Sequence, residues 1–270
     1  MRTPRTLFIP VAMLLAVSAC TSNGDDGNAA ADASGEDGPT CPTEGAEFAD
    51  TKLYIEHNAT DEDTGVHALF AADGWTELCI TDPDGQRLIV ADPQGPLGDL
   101  GLADLFWESR EPENIEYSIA DLKADFPEGE YQVSGLDFEG NPLFGTALFT
   151  HDIPAPPTIT APAGLTDDAD TAGDLVLGPE EIVVEWEPVT ETIDGRPVSV
   201  TAYEVIVTDD AFEDPHGFAQ PIYDVHVRPD TTSLSVPAEF FSPDTVYEIE
   251  VLVLEKSGNQ TISLGFFTTE

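Results

Sequence analysis

Ile182-Val183-Val184-Glu185-Trp186-Glu187-Pro188 alternates, setting Ile182, Val184 and Trp186 on one face and Val183, Glu185 and Glu187 on the other. A period of two with bulky residues on one side is what a half-buried antiparallel strand requires. The pattern recurs downstream. Residues 200–208 put Tyr203, Val205 and Val207 on one face, and residues 247–254 do the same with Tyr247, Ile249, Val251 and Val253. Lys256-Ser257-Gly258-Asn259 then turns the chain into a last strand over 261–268. With 22 Gly, 22 Pro and few helical patterns in 270 residues, the chain reads as all-β.

Upstream, short apolar runs at 52–57, 66–72, 78–81, 87–90, 129–133 and 143–150 predict strands. Asp82-Pro83-Asp84-Gly85 and Glu139-Gly140-Asn141-Pro142 mark turns between neighbouring runs. Short strands at this spacing predict a β-sandwich over 48–153. Between its hairpins lies the long, Leu-rich connection 95–113. It is read as a short helix over 101–107 capping the sandwich, with Leu105, Phe106 and Trp107 as the candidate binding lip. The proline-rich Ile153-Pro154-Ala155-Pro156-Pro157-Thr158 predicts a stiff, extended joint to a second domain over 154–270.

Trp186-Glu187-Pro188, Tyr203-Glu204-Val205-Ile206-Val207 and Phe241-Ser242-Pro243-Asp244-Thr245-Val246-Tyr247-Glu248-Ile249 occur in an order that resembles a fibronectin type III domain. They resemble its second strand with the core tryptophan, its third strand and its tyrosine corner, covering about residues 156–268. The stretch before Tyr203 and the 209–221 insertion are longer than the family pattern. No Arg-Gly-Asp triplet is present, so the resemblance does not imply integrin-type recognition. It implies a spacer or binding module, and the fold by itself implies no reaction. In the first region only Phe126-Pro127-Glu128-Gly129-Glu130-Tyr131 resembles a tyrosine corner, which implies an immunoglobulin-like sandwich over 48–153 and no named family.

The N-terminus has Arg2 and Arg5, an apolar run from Leu7 to Val17, and the small pair Ser18-Ala19 before Cys20. This is the layout of an export signal over residues 1–19, too short to span a bilayer as a mature helix. Leu14-Leu15-Ala16-Val17-Ser18-Ala19-Cys20 resembles the lipobox of bacterial lipoproteins. That resemblance implies cleavage before Cys20, acylation of its thiol, and a membrane-anchored protein of the bacterial cell envelope. Thr21, where Asp is absent, implies the outer membrane if the cell is Gram-negative. Residues 20–47 hold almost nothing that could build a core and read as a disordered acidic tether, about 25–30 Å from end to end.

The full chain carries a formal charge of −44. Removing residues 1–19 leaves seven basic residues against 53 acidic ones, which excludes nucleic acid as a partner. Dispersed carboxylates suit solvation, loose binding of divalent cations, or attraction of cationic partners. With Cys20 acylated, Cys41 and Cys79 remain as an even pair in an oxidising compartment, predicting a disulfide; the alternative is a buried free Cys79 and an exposed Cys41.

Asn58-Ala59-Thr60-Asp61-Glu62-Asp63-Thr64-Gly65 gathers oxygen ligands in one turn, so Asn58, Asp61 and Asp63 are candidates for weak calcium. An EF-hand loop starting at Asp61 needs an acid at its twelfth position, where Ala72 stands, and that motif fails. The five histidines, His57, His67, His151, His216 and His226, show no ligand spacing. No Gly-x-Ser-x-Gly, His-Glu-x-x-His, P-loop or Cys-x-x-Cys is present. These observations predict a non-catalytic envelope lipoprotein whose β-sandwiches serve protein–protein interaction, adhesion or envelope assembly. The first alternative is a calcium-assisted carbohydrate-binding module using exposed Trp75 and Trp107. The second is an envelope hydrolase, which needs two converging carboxylates in a cleft.

Overall fold

The computed structural model describes residues 41–178, 182–212 and 222–270. The expected signal segment 1–19, Cys20, the expected linker up to residue 40 and the 213–221 part of the long insertion lie outside the described residues. In chain order the first half holds β1 (Ala46–Glu47), β2 (Asp50–Asn58), β3 (Asp63–Thr81), β4 (Arg87–Ala91), α1 (Pro96–Leu100), β5 (Leu102–Glu108), α2 (Ile119–Asp125), β6 (Gly129–Asp137) and β7 (Pro142–Phe149). The second holds β8 (Ile159–Ala161), a 3-10 turn (Ala169–Asp174), β9 (Val176–Leu177), β10 (Ile182–Trp186), β11 (Val200–Asp209), β12 (Ile222–Val227), β13 (Ser233–Val236), a second 3-10 turn (Ala238–Phe240), β14 (Val246–Glu255) and β15 (Gln260–Thr269). The fold is all-β, with two sandwich cores.

In the first sandwich β3 serves both layers. Its first part pairs with β2 and β5, its second with β4 and β6, and β6–β7–β1 completes the layer. The register breaks between Ala71 and Trp75, where Gly74 adopts φ 87°. A left-handed backbone there lets the strand change direction without ending. Leu53, Ile55, Phe70, Trp75, Leu78, Ile80, Tyr131, Val133 and Phe149 fill the space between the layers. Tyr131 Oη donates to Pro127 O at 3.1 Å, closing a tyrosine corner.

The second sandwich sets β13–β10–β8 against β12–β11–β14–β15. Its inward row is the one that alternation marks: Ile182, Val184, Trp186, Tyr203, Val205, Val207, Tyr247, Ile249, Val251, Val253 and Phe267. The Trp186 and Tyr203 rings lie 5.4 Å apart, and Tyr203 Oη accepts the Val189 N–H at 2.7 Å. Tyr247 Oη accepts the Ser242 N–H at 2.8 Å, forming the corner that the Phe241–Ile249 motif implies.

The two sandwiches share a ladder. Gln260, Thr261 and Ile262 of β15 pair in parallel with Glu56, His57 and Asn58 of β2. Where that ladder stops, the edge N–H of Ile55 donates to Asn259 Oδ1 at 2.8 Å, and Asn259 Nδ2 donates to Thr150 O at 3.0 Å. Asn259 is 1% exposed, so it satisfies buried backbone groups that no strand reaches. Across the other side of the joint, Ile193 N donates to Ile153 O at 3.0 Å, and Arg196 pairs with Asp152 at 2.7 Å. The junction is thus held by strand pairing and Asn259 on one flank and by a backbone hydrogen bond and an ion pair on the other, beyond the stiffness its prolines supply.

Several expectations need correction. Residues 101–107 are not a helix: α1 ends at Leu100, and Leu102–Glu108 runs as a strand along β3. Leu105 and Trp107 alternate inward onto the core while Phe106 faces out, so only Phe106 of the three is an exposed lip residue. Trp75 is fully buried and offers no face to a sugar. The runs at 66–72 and 78–81 are one continuous strand.

Candidate functional site: a histidine and carboxylate face across the junction

The shared ladder turns the outer faces of both sandwiches into one surface. On β2 the inward residues Leu53 and Ile55 leave Tyr54, Glu56 and Asn58 outside; on β3 the outward row is Asp63, Gly65 and His67. On the far side β14 and β11 present Glu248, Glu250 and Glu204, and β12 adds Asp224 and His226. An outer sheet face is normally wet, yet Leu252, Ile262, Leu264 and Phe266 in the middle of this one are buried. The 3-10 turn Ala169–Asp174 covers one side, with Ala172 packed on Leu264 and Phe266. Carboxylates around that covered strip lose water, and burial disfavours their charged form.

Two groups on this face combine one histidine with two carboxylates, Glu56–His67–Glu111 and Glu204–Asp224–His226. In the first, His67 Nε2 lies 2.7 Å from Glu111 Oε1 and 3.8 Å from Glu56 Oε1. Its ring is walled by Tyr54 at 5.4 Å and Phe106 at 6.2 Å between centroids. Glu111 reaches it by lying across β3 over Gly65. A methyl group added at residue 65 would stand 2.6 Å from Glu111 Cγ and 2.7 Å from Oε1, so glycine is required for that approach. Gln260 Nε2, from the second sandwich, hydrogen-bonds Glu56 Oε2. In the second group His226 Nε2 is 3.2 Å from Glu204 Oε1, and the His226 side chain is 58% exposed.

The electrostatics follow from this crowding. Burial and then Glu111, Asp61 and Glu56 push Asp63 up to about 7. Burial raises Glu56 despite the opposing pull of His67. Burial pulls His67 down, but the hydrogen bond to Glu111 and the charge of Glu56 outweigh it and hold the imidazole above its ordinary value. Burial lifts Glu204 to about 7 and Glu250 well above the usual carboxylate range, the latter reinforced by the adjacent Glu248. Burial and Glu56 lift Tyr54 to about 12.

The calcium candidates Asn58, Asp61 and Asp63 lie in the turn beside this group. Asn58 Oδ1 accepts the N–H groups of Thr60 and Asp61 at 3.0 and 3.1 Å, and its Nδ2 donates to Asp61 Oδ2 at 3.0 Å. Asn58 therefore builds the turn, with its side-chain oxygen held by two backbone N–H groups, and Asp61 lies close enough to Asp63 to raise it. Asp63 also borders the Glu56–His67–Glu111 neighbourhood, beside which Phe106 lies. Cys41 and Cys79 are bridged, with 5.7 Å between their Cα atoms. Alternation missed Glu56, His67 and Glu111 as a group because 11 and 44 residues separate them. The legible signal was the outward row Asp63–Gly65–His67, in which a glycine clears space between two ionisable side chains.

No family model and no curated protein matches the sequence. Solved structures to which it is similar include fibronectin type III modules. The chicken CNTN1 FN1–FN3 domains are 14% identical, covering 84% of this chain and 67% of that one, with a TM-score of 0.29. A two-domain fibronectin type III segment of chicken tenascin is 10% identical, covering 82% and 99%, also at 0.29. The third fibronectin III domain of human KIAA0343 protein is 14% identical over 44% of this chain and 86% of its own, at 0.31. The all-β assignment itself rests on the chain's own ladders, β13–β10–β8 facing β12–β11–β14–β15.

Proposed function

We propose that this chain is a lipid-anchored protein of the bacterial envelope that presents its two sandwiches as one rigid module for a protein partner. The observation that carries the reading is the junction. Asn259 and the β2–β15 pairing fix the sandwiches to each other, so a partner spanning both meets a surface already ordered. Pre-ordering removes part of the entropy that association otherwise costs. The acidic excess favours a cationic partner surface and speeds its approach. The Cys20 anchor and the acidic tether would place the module clear of the membrane.

Two measurements test this reading. Replacing Cys20 by serine should move the protein from the membrane pellet to the soluble fraction; unchanged sedimentation removes the anchor. Cross-linking on intact cells should then recover the same neighbour from wild type and lose it when Asn259 is replaced by alanine. Equal recovery from both would remove the role of the rigid junction.

A further inference from the structure

We propose that Glu56, His67 and Glu111 form a site for a divalent first-row metal ion of the zinc or manganese class, seated on the seam between the sandwiches. The inference stands apart from the lipid anchor and the protein partner, and concerns residues no motif connects.

Three donor atoms, His67 Nε2 and one oxygen from each glutamate, all lie within 4.8 Å of one another. Such an ion takes nitrogen and carboxylate donors at about 2.0–2.2 Å, which sets donors about 3.3 Å apart in a tetrahedral arrangement. The separations of 2.7 Å and 3.8 Å from His67 bracket that value. An ion entering between them takes the place of the proton that His67 and Glu111 share. Glu111 moves out by some tenths of an ångström and Glu56 moves in.

Three further features fit an ion better than an incidental acidic surface. The His67 side chain is 6% exposed, and its Nε2 faces both carboxylates. The missing side chain at Gly65 leaves the channel through which Glu111 arrives. Gln260 holds the distal oxygen of Glu56 and leaves the other facing the imidazole, the kind of outer support that orients metal ligands. Charge points the same way. Glu56, Glu108 and Glu111 act on His67, Asp63 lies beside Glu56 and Glu111, and among the described residues no lysine or arginine forms an ion pair with any of the four carboxylates. An imidazole donor selects a borderline ion over calcium, which prefers oxygen alone. The Glu204–Asp224–His226 group has the same donor types on an open surface, where water competes, and serves as the internal control.

Because Gln260 comes from β15 and Glu56 from β2, an ion here tightens the shared ladder. The full-length protein, purified in detergent and stripped with chelator, is titrated calorimetrically with zinc, manganese and calcium chlorides. One equivalent of zinc or manganese should bind at this site and raise the unfolding temperature, with calcium at least tenfold weaker. His67→Gln should abolish that equivalent, and His226→Gln should leave it intact. Gln260→Ala keeps all three ligands and should weaken binding about 10–100-fold, as loss of an outer-shell partner does. Should His67→Gln fail to fold, manganese-induced broadening of the His67 ring signals in wild type, absent from the His226 ring at one equivalent, locates the ion. Equal binding by wild type and His67→Gln, broadening at His226 alone, or no binding of either metal at millimolar concentration overturns the proposal.

Discussion

The first sandwich is organised around one strand that serves both layers, and the second around two ladders that exchange no strand. β3 runs 19 residues and changes layer at Gly74, so the first core depends on a single bend held in place by what surrounds it. The second core is fixed by short strands that each alternate faithfully. The first also carries the Cys41–Cys79 bridge, tying the start of the described chain to the second half of β3, whereas the second has no cysteine. The same all-β class is reached by a staple in one case and by alternation in the other. Perturbations should therefore fall on the halves unequally.

Opening the bridge should have the largest effect. Cys41 and Cys79 are 38 residues apart, and a loop of that length stabilises by about 4 kcal/mol through the entropy it removes from the unfolded chain. Cys41→Ala should reduce amide-exchange protection across β3, β4 and β6 and leave β10, β11 and β14 close to wild type. An equal fall in both sets would mean that the two sandwiches unfold as one unit, and the contrast drawn above would fail.

A pH series should show the opposite bias. Burial lifts Glu204, Glu248 and Glu250 in the second sandwich, with the exposed His226 pulling Glu204 part of the way back down; the first has the buried His67 among its acids. A carboxyl with a raised value in the folded state keeps its proton while the unfolded chain ionises. Folding is therefore unpenalised below the ordinary value of 4.5 and progressively disfavoured up to about 7. Glu204 is partly exposed, and solvent screening brings its loss across that window to on the order of 2 kcal/mol. Glu204→Gln should flatten this part of the stability curve, measured by denaturant unfolding at pH 4.5 and pH 7.5. A slope as steep as wild type would place the proton elsewhere.

How much of this was legible follows from the same contrast. The second sandwich could be read from Trp186, Tyr203 and Tyr247 because each strand is short, one face is buried, and the period of two survives. The first misled at two points. Asp73-Gly74 has the composition of a turn, but here it bends a strand that continues, since β5 and β6 supply hydrogen bonds on either side of the break. Residues 101–107 are Leu-rich and suggest a helix; the pairing of Leu105 with Phe70 and of Trp107 with Ala68 overrides that local preference. The histidine and carboxylate face was almost invisible, because it exists only once β2 and β15 meet, and no local pattern encodes a ladder between residues 204 positions apart. Asp63 was the exception, marked by the density of acids around it.

Asn259 tests the seam between the halves. Its replacement by alanine strands the buried Ile55 N–H and removes a donor from the part-buried Thr150 O. Leaving a buried backbone group unsatisfied costs about 1–3 kcal/mol, and water admitted to the gap lowers that figure, so about 2 kcal/mol is expected. The loss should appear as earlier exchange of the Ile55 and Ile262 amides, with both cores keeping their own protection. Should both cores loosen together, the seam is part of a single folding unit rather than a clasp between two.

The smallest effect discriminates most finely, because it sets one corner against the other. Tyr247 Oη accepts the Ser242 N–H, while Tyr131 Oη donates to Pro127 O. Removing the first hydroxyl orphans a donor; removing the second takes a partner from a carbonyl, which has a further lone pair and tolerates the loss better. Tyr247→Phe should therefore cost about 1 kcal/mol and Tyr131→Phe roughly half of that, read from paired denaturant titrations. Both rings stay packed in either variant, Tyr247 stacked on Phe267 at 5.7 Å and Tyr131 against Phe149 at 5.4 Å, so the difference isolates the hydrogen bond from the burial. If Tyr131→Phe proves the costlier, the corner of the first sandwich is holding the bend of β3 as well as its own turn, since Val133, two residues on, pairs with Ile80 beyond that bend.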